Sequence, residues 1–178
     1  GIPYTHSGVF ASSLAMNKIY SKKLSEKNNM KTPSYKIIKT NELGALKYNK
    51  PFVIKPIGEG SSKGVYAILN ESDMNNLITI QNSWVYGDKI LIEDYIEGKE
   101  ITCSVHDSQV TEVMEIFTDT GFYDYEAKYT NGASKHSIPA KIPSLIYKLV
   151  QEISLKAHNI FKCRGVTRSD FRFNENLG

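Results

Sequence analysis

The sequence has few cysteines and no long hydrophobic run. Cys103 and Cys163 are its only 2 cysteines, and their number and spacing fit neither a zinc site nor a disulfide framework. No apolar run approaches the roughly 20 residues that span a bilayer, and no basic segment followed by an apolar one opens the chain. These absences favour a protein of the reducing cytoplasm with no membrane partner.

An excess of one charge is also missing. The chain holds 22 Lys and Arg against 19 Asp and Glu, a formal net charge of +3. Because the lysines are scattered among carboxylates, no basic face stands out, and a nucleic-acid partner is not expected. The 4 histidines share no ligand spacing and form no recognisable nucleophile motif with a serine or cysteine. With 40% hydrophobic residues the chain can bury a core, as one domain or two small ones.

Hydrophobic periodicity predicts an α+β fold. One helix is predicted from about Val9 to about Lys27, with Ser7 as its N-cap and its lysines facing outward, and an amphipathic helix is predicted from Ser144 to Phe161. Residues 71–81 are polar and also predicted to be helical. Strands are predicted at residues 50–56, 65–69, 89–95, 100–106, 109–117 and 165–173. Their hairpin-type connections favour antiparallel sheets.

Two segments combine residues that bind phosphate or metal in other proteins. Lys55 to Gly64 is rich in glycine and serine, so its backbone N–H groups could approach a phosphate. It does not have the Walker A order, and taken alone such a segment is more often a solvated turn. On the last predicted strand, alternation places Arg168 and Asp170 on one face. They form either a plain ion pair or a magnesium ligand beside an oxyanion-stabilising cation.

Other candidates are single carboxylates and one aromatic segment. Glu93 and Glu100 lie on predicted strands, where each could also be an ordinary surface glutamate. Phe122-Tyr-Asp-Tyr-Glu-Ala-Lys-Tyr129 lies in a stretch without periodicity, residues 118–143, which is predicted to be a long functional loop or lid. The alternative is that its tyrosine rings pack the loop onto the domain.

Taken together and in order, these motifs resemble those of the D-alanine:D-alanine ligases, an ATP-grasp family. Gly1-Ile-Pro-Tyr-Thr and a helix that reaches Met16-Asn-Lys18 are similar to the start of that family's central domain. Phe52-Val-Ile-Lys-Pro with Glu59-Gly-Ser-Ser-x-Gly64 is similar to its phosphate-covering loop. Phe122 to Tyr129 resembles its omega loop almost letter for letter, and Arg168-Ser-Asp170 resembles its Arg-x-Asp motif.

The resemblance implies a fold and a division into domains. The fold is α+β of the ATP-grasp type, with two small antiparallel-sheet subdomains and helices. Residues 1–31 would be a helical lead-in to the central domain, 32–96 the central subdomain, and 97–178 a truncated C-terminal subdomain that includes the omega loop at 118–143. Since the chain begins without a methionine and stops at Gly178, it is expected to be part of a longer protein, incomplete at both ends.

The resemblance also implies which residues bind the nucleotide. Lys18, Lys55 and Lys128 match lysines that contact the ATP phosphates. Glu93 to Ile96 matches the segment that reads adenine through side chain and backbone, and Glu100 matches the carboxylate that binds the ribose hydroxyls. The full set implied for nucleotide binding is Lys18, Lys55, Glu93, Asp94, Tyr95, Ile96, Glu100, Phe122 and Lys128.

The remaining implied roles concern the second substrate and the metal. Ser61 and Tyr129 match a hydrogen-bonded pair that orients substrate and locks the lid. Asp170 matches a metal ligand, and Arg168 matches the cation that contacts the reacting carboxylate. A tyrosine at the end of the omega segment accompanies dipeptide synthesis in this family, whereas the depsipeptide ligases place basic side chains there.

The activity implied is ATP-dependent formation of D-alanyl-D-alanine through a D-alanyl phosphate, for bacterial peptidoglycan synthesis. ATP and Mg²⁺ (or Mn²⁺) would be the cofactors, D-alanine the substrate and the cytoplasm the location, and a homodimer stays open for the full-length enzyme. Because the family's Glu-x-Asn motif and its N-terminal domain are not within residues 1–178, the chain alone is expected to be inactive.

Two positions depart from the family pattern, and two alternatives remain. His6 stands where relatives often carry glycine, and Arg172 stands where an apolar residue commonly lines the adenine pocket. One alternative is another ATP-grasp ligase, such as one that makes glutathione or carboxylates biotin, although those families carry other lids. The other is a nucleotide-binding module without catalytic activity.

Overall fold

The computed structural model describes residues 1–118 and 134–176. The chain divides into two compact units, one formed by Met16–Tyr95 and the other by Gly1–Ala15 together with Ile96–Gly178. The three-part domain division drawn from the sequence stays a prediction. Within the described ranges, no helix is both long and apolar enough to cross a membrane.

Two helices replace the single helix predicted from Val9 to Lys27, so that prediction was wrong. Helix α1 spans Val9–Met16 and helix α2 spans Lys18–Lys27. Asn17 separates them because its backbone is extended, at φ −82° and ψ 103°, and its side-chain oxygen accepts hydrogen bonds from the N–H groups of Ile19 and Tyr20. Such an N-cap satisfies the free N–H groups of a first helical turn.

Ser7 is not the N-cap of α1, which corrects a second prediction. Its hydroxyl donates to the carbonyl of Arg164 at 3.1 Å and accepts from the N–H of Arg164 at 3.2 Å. The first backbone bond of α1 runs from Ser12 N to Gly8 O at 3.0 Å. Ser7 therefore fastens the start of the chain to Arg164 and leaves the capping position to Gly8.

The unit Met16–Tyr95 is built on a four-stranded antiparallel sheet. Its strands β1, β2, β3 and β4 span Tyr35–Lys39, Phe52–Pro56, Tyr66–Ile68 and Lys89–Asp94, in the order β1-β4-β2-β3. The predicted β2–β3 hairpin and strand β4 are confirmed, but β1 was missed. Besides helix α2, the unit contains the 3₁₀ helices Thr40–Ala45 and Glu71–Asn76 and helix α3, Leu77–Asn82, as predicted for residues 71–81.

Strands and helices of this unit share one apolar core. Ile54 and Ile90 are fully buried on β2 and β4, and they cluster with Leu43 from the first 3₁₀ helix and with Leu77 from α3. Burying each such side chain stabilises the folded state by about 1.5–3 kcal/mol. The core therefore fixes the positions of β2 and β4, the two strands that carry Lys55 and Glu93.

The second unit contains a five-stranded antiparallel sheet centred on β5. Strands β5, β6, β7, β8 and β9 span Lys99–His106, Gln109–Val110, Met114–Thr118, Ser134–Ser137 and Val166–Phe173. Strand β5 pairs with β6 and β7 and, along its whole length, with β9. Helix α4, Ser144–Ile160, packs its Val150 against the buried Ile101 and Cys103 of β5.

Two sequence predictions for this sheet were wrong. The strand expected over residues 109–117 is divided into β6 and β7. The segment expected to be a loop over residues 118–143 contains β8, which pairs with β7. Strands β6 and β8 are too short for their side chains to show the alternation that identifies a strand in a sequence.

The corner that leads into β5 requires glycine at position 98. Gly98 has φ +139°, and a Cβ atom there would lie 2.1 Å from the carbonyl oxygen of Phe173 at the end of β9. The side-chain Nδ2 of Asn174 also donates to the backbone carbonyl of Glu97 at 2.8 Å. The backbone around Gly98 is thus held directly against the end of β9.

Replacing Gly98 by alanine should lower the free energy of unfolding by about 3 kcal/mol or more, because a strained φ and a backbone collision add. Gly87 provides the matched control. Its φ is +97°, but a Cβ atom at this position would have no neighbour within 4 Å, so Gly87→Ala should cost only about 1–2 kcal/mol. Equilibrium urea unfolding measures both variants, and equal losses would contradict the role given to the Phe173 contact.

Candidate functional site

A buried carboxylate in the unit Met16–Tyr95 binds two lysines. Glu93 on β4 is only 6% exposed. Its Oε2 lies 3.0 Å from Lys22 Nζ, and its Oε1 accepts a hydrogen bond from Lys55 Nζ. Lys55 is directly opposite Leu91 in the β2–β4 register, which places Lys55 and Glu93 diagonally on one face of the sheet.

Lys22 was missed by the sequence analysis, which placed the lysines of this helix in solvent. It is only 8% exposed. Besides Glu93, its ammonium donates to Thr32 Oγ1 and to the carbonyl of Pro33 at 2.9 Å, and it lies 4.9 Å from the centroid of the Tyr35 ring. Lys22 follows Lys18 by four residues, and residues i and i+4 share a helix face. This spacing could have indicated that Lys22 lies on the same side of the helix as Lys18.

Lys18, the first residue of α2, lies beside the predicted phosphate loop. Its Nζ donates to the carbonyl of Glu59 at 2.5 Å, and its backbone N–H donates to the carbonyl of Ile57 at 3.0 Å. Burial, and next the positive charge of Lys55, lower the pKa of Lys18 from the ordinary value of 10.5, although Glu93 and Glu59 act in the opposite direction. Lys55 therefore lies close enough for its charge to act on Lys18.

The same cluster shifts the pKa of Glu93 and of Lys22. Burial alone would raise the pKa of Glu93, but the charges of Lys55 and Lys22 and the hydrogen bonds from both outweigh it, so the pKa is lowered. Burial also lowers the pKa of Lys22, against the attraction of Glu93. The carboxylate is therefore held in its ionised form by its two lysine partners.

The loop between β2 and β3 has an unusual backbone. Ser61 and Ser62 have φ values of 51° and 57°, and Gly64 has φ +65°. The N–H of Lys63 donates to the carbonyl of Gly60 at 3.0 Å, which closes a turn. Left-handed backbone at a serine is uncommon, and residues held in it cluster at ligand-binding sites.

Asp94 and Tyr95 follow Glu93 in the segment predicted to read adenine. The N–H of Asp94 donates to the carbonyl of Ser34 at 2.9 Å, and that of Tyr95 donates to the carbonyl of Pro51 at 3.2 Å. The Asp94 carboxylate pairs with Lys50 at 2.6 Å in an exposed position. These two backbone N–H groups thus extend the strand contacts of β4.

In the other unit, Glu100 and Ile96 share one partner. Arg172 on β9 is directly opposite Glu100 on β5. Its Nη1 donates to Glu100 Oε2 at 2.8 Å and its Nε donates to the carbonyl of Ile96 at 3.0 Å. The side chains of Arg172 and Glu100 are 21% and 19% exposed. The carboxylate predicted to bind ribose is therefore half-buried and already paired.

Arg168 and Asp170 form a bidentate ion pair. Arg168 Nε lies 2.8 Å from Asp170 Oδ1, and Arg168 Nη2 lies 3.0 Å from Oδ2. Thr102 Oγ1 also donates to Oδ1 at 2.8 Å. Over residues 1–118 and 134–176, no group of three or more His, Cys, Asp or Glu side chains could hold a metal ion. Asp170 can offer one carboxylate, and Mg²⁺ is commonly bound through one or two carboxylates together with substrate phosphates.

The described residues thus bring the predicted site residues together in three groups. Lys55 pairs with Glu93 and its charge acts on Lys18. Glu100 and Ile96 both bind Arg172, and Arg168 pairs with Asp170. Phe122, Lys128 and Tyr129 lie outside the described residues, so their predicted roles, and the pairing of Tyr129 with Ser61, stay predictions.

Replacing Lys22 by methionine should lower the free energy of unfolding by about 1–3 kcal/mol, because Glu93 Oε2 would stay buried without its partner. Lys50→Met is the matched control in the same unit. It removes the exposed pair with Asp94, whose side chains are 57% and 29% exposed, and should cost less than about 1 kcal/mol. Urea unfolding measures both, and a loss for Lys22→Met no larger than that of the control would count against the buried pair.

Known proteins match nearly the whole chain in sequence. Residues 13–177 match the family model described as the D-ala D-ala ligase C-terminus. A D-alanine--D-alanine ligase of Bartonella bacilliformis is 46% identical over 180 residues, which cover 99% of this chain and 59% of that protein. The chain therefore spans less than two thirds of the length of this relative.

Solved structures agree with the sequence matches. The crystal structure of a D-alanine--D-alanine ligase from Bacillus anthracis has a TM-score of 0.76 at 28% identity, over 99% of this chain and 59% of that one. The VanG D-Ala:D-Ser ligase from Enterococcus faecalis also has a TM-score of 0.76, at 27% identity, over 99% of this chain and 53% of that one. The predicted α+β fold of the ATP-grasp type is thereby confirmed. Since the family model covers most of the chain and a relative with 46% identity covers 99% of it, the chain belongs to the D-ala D-ala ligase C-terminus family.

Proposed function

We propose that the full-length protein containing this chain is a D-alanine:D-alanine ligase, which uses ATP to join two D-alanine molecules. The observation that carries the proposal is the lysine cluster around Glu93, in a chain of this family. Lys22 and Lys55 are both paired with Glu93, and the charge of Glu26 also acts on Lys22. Lys18 instead donates to a neutral backbone carbonyl while the charge of Lys55 acts on it, so its ammonium group suits a polyphosphate.

Lys18 and Lys55 are the groups proposed to contact the ATP phosphates. An ammonium group that has lost part of its hydration gains a charge-assisted hydrogen bond from a phosphate oxygen, worth about 1.5–3 kcal/mol. Lys22 stays with Glu93 and holds that carboxylate in place, so it acts as a structural support for Lys55. The turn at Ser61 and Ser62 offers backbone N–H groups beside the phosphates.

The unit containing Ile96–Gly178 is proposed to supply the contacts to the sugar and the metal. Glu100 would accept hydrogen bonds from the ribose hydroxyls. Glu93, Asp94 and Tyr95, the last residues of the unit Met16–Tyr95, would form the adenine-reading segment together with Ile96. Asp170 would contribute one carboxylate to Mg²⁺ or Mn²⁺. A bound Mg²⁺ would neutralise phosphate charge during phosphoryl transfer. Arg168 would then be shared between Asp170 and the reacting carboxylate.

The proposed reaction requires positioning and charge neutralisation but no enzyme nucleophile. The carboxylate of one D-alanine accepts the terminal phosphoryl group of ATP and releases ADP. The amine of a second D-alanine then attacks the acyl phosphate, and phosphate leaves from the tetrahedral intermediate to give the dipeptide. Lysines and a lid that excludes water suit such in-line transfer. Phe122, Lys128 and Tyr129 would belong to that lid, and a hydrogen bond between Ser61 and Tyr129 would orient the substrate and lock the lid. A cytoplasmic location and a homodimer are part of the same proposal.

The full-length protein, supplied with ATP, Mg²⁺, D-alanine and excess D-lactate near neutral pH, should make mainly D-alanyl-D-alanine and release ADP and phosphate. A neutral phenol at Tyr129 does not repel the ammonium group of the second D-alanine, since its ordinary pKa is about 10. Chromatographic separation of the products is the measurement. Tyr129→Phe should keep the dipeptide and Tyr129→His should shift the products toward the ester, whereas mostly ester from the wild type would refute the proposed substrate.

Inorganic tripolyphosphate should bind the full-length protein more weakly as the pH rises. The pKa of Lys18 is lowered in the free protein, and a bound phosphate raises it again. Affinity is therefore highest where Lys18 is protonated in the free protein, and it falls as the pH rises above that lowered pKa. Lys18→Met should bind at least about tenfold more weakly near neutral pH, with a shallower pH dependence.

Isothermal titration calorimetry at several pH values tests this expectation. Lys23→Met is the matched control, because Lys23 lies on the same helix but is exposed. It should titrate like the wild type. Tripolyphosphate affinity that is identical in the wild type and in Lys18→Met at every pH would exclude Lys18 from the phosphate site.

A further inference from the structure

Arg172 holds Glu100 in one defined position. The two residues are directly opposite each other on β9 and β5, and the guanidinium Nη1 donates to Glu100 Oε2 at 2.8 Å. Cross-strand partners in register have side chains close together on one face of the sheet. With 21% and 19% exposure, the pair is largely withdrawn from water, and its geometry is less easily disturbed than that of a surface ion pair.

The same guanidinium also holds the backbone that precedes β5. Arg172 Nε donates to the carbonyl of Ile96 at 3.0 Å, and two residues later Asn174 Nδ2 donates to the carbonyl of Glu97 at 2.8 Å. Together with the close approach of Gly98 to Phe173, these bonds fasten residues 96–98 to the end of β9. Arg172 is the link that joins this backbone to a carboxylate.

One oxygen of Glu100 is left for a ligand. Oε2 is taken by Arg172, whereas Oε1 accepts no hydrogen bond from the part of the chain that the structure describes, residues 1–118 and 134–176. A carboxylate oxygen has room for two donors. Because Arg172 fixes Oε2, Oε1 can accept a hydrogen bond from a hydroxyl group only from a restricted set of directions.

We propose that Arg172 is a positioning residue that sets the preference of the site for a ribose with free hydroxyls, by holding Glu100 through Nη1 and the Ile96 carbonyl through Nε. This inference rests on the proposed function, in which Glu100 binds the ribose of ATP. A free glutamate must lose rotamer freedom when it binds a hydroxyl. Arg172 has already removed that freedom, so the hydroxyl contact contributes more to affinity.

The geometry requires a guanidinium. Its planar fork donates in two directions at once, whereas a lysine ammonium is a point charge on a flexible chain. Arg172→Lys is therefore expected to keep the positive charge next to Glu100 but lose the simultaneous hold on Ile96. An apolar residue such as methionine would lose both contacts.

Steady-state kinetics of the full-length enzyme with ATP and with 2′,3′-dideoxy-ATP tests the inference. The wild type should have a KM for the dideoxy nucleotide at least about tenfold above that for ATP, as expected for a lost hydrogen bond to a charged group. In Arg172→Met the KM for ATP should rise about three- to tenfold, with kcat within about twofold and the KM for the dideoxy nucleotide nearly unchanged. The ratio of the dideoxy KM to the ATP KM therefore falls. Arg172→Lys should give an intermediate ratio.

Two further variants separate the possible failures. Lys99→Met removes another cation of β5, which pairs with Glu115 at 3.1 Å, and should leave the ratio unchanged. Adding Glu100→Gln to Arg172→Met should give the same ratio as Glu100→Gln alone, because both act through one contact. If Arg172→Met raises both KM values equally, or if the two changes are additive, the positioning role is overturned. If the wild type does not distinguish the two nucleotides, or does not use ATP, it is the proposed function of Glu100 or of the protein that fails.

Discussion

The pairing of the buried Glu93 carboxylate with two lysines determines how the charged groups of residues 16–95 are arranged. A carboxylate this deeply buried is unfavourable unless its charge is compensated and its oxygens accept hydrogen bonds. Lys22 supplies this from helix α2 and Lys55 from strand β2. The same interaction therefore joins the first helix of the unit to the two central strands of its sheet, beyond what apolar packing alone specifies.

Because Glu93 is used for this purpose, the remaining positive charge is concentrated at Lys18. Within residues 1–118 and 134–176, its ammonium group has a neutral backbone carbonyl, that of Glu59, as its hydrogen-bond acceptor. A cation with a neutral partner, close to a second cation, is poorly compensated and is suited to an incoming anion. The other unit follows a different pattern, since Glu100 and Asp170 are each paired with an arginine on β9.

Features that depend on residues close together in the sequence could be predicted from local patterns. Arg168 and Asp170 are two apart on one strand, so alternation alone placed them together, and most strands were found from their apolar residues. Pairings between strands were not predictable in this way: Lys55 meets Glu93, and Arg172 meets Glu100, only because of the registers that the folded sheets adopt. The four-residue apolar spacing of Met16, Tyr20 and Leu24 continued through Asn17 and concealed the helix break, which depends on a side-chain cap. Strand β1, Tyr35–Lys39, was missed because it is short and its two isoleucines are adjacent, so its residues do not alternate.

The pairing of β5 with β9 has a consequence for synthesis on the ribosome. Residues 16–95 are continuous in sequence, so this unit can form as soon as Tyr95 has emerged, and units generally fold in the order of synthesis. Strand β5 emerges next but must wait for Val166–Phe173 to complete its longest pairing. The first residues of the chain wait as well, since Ser7 bonds to Arg164. The part of this chain that is translated first is therefore among the last to reach its final contacts.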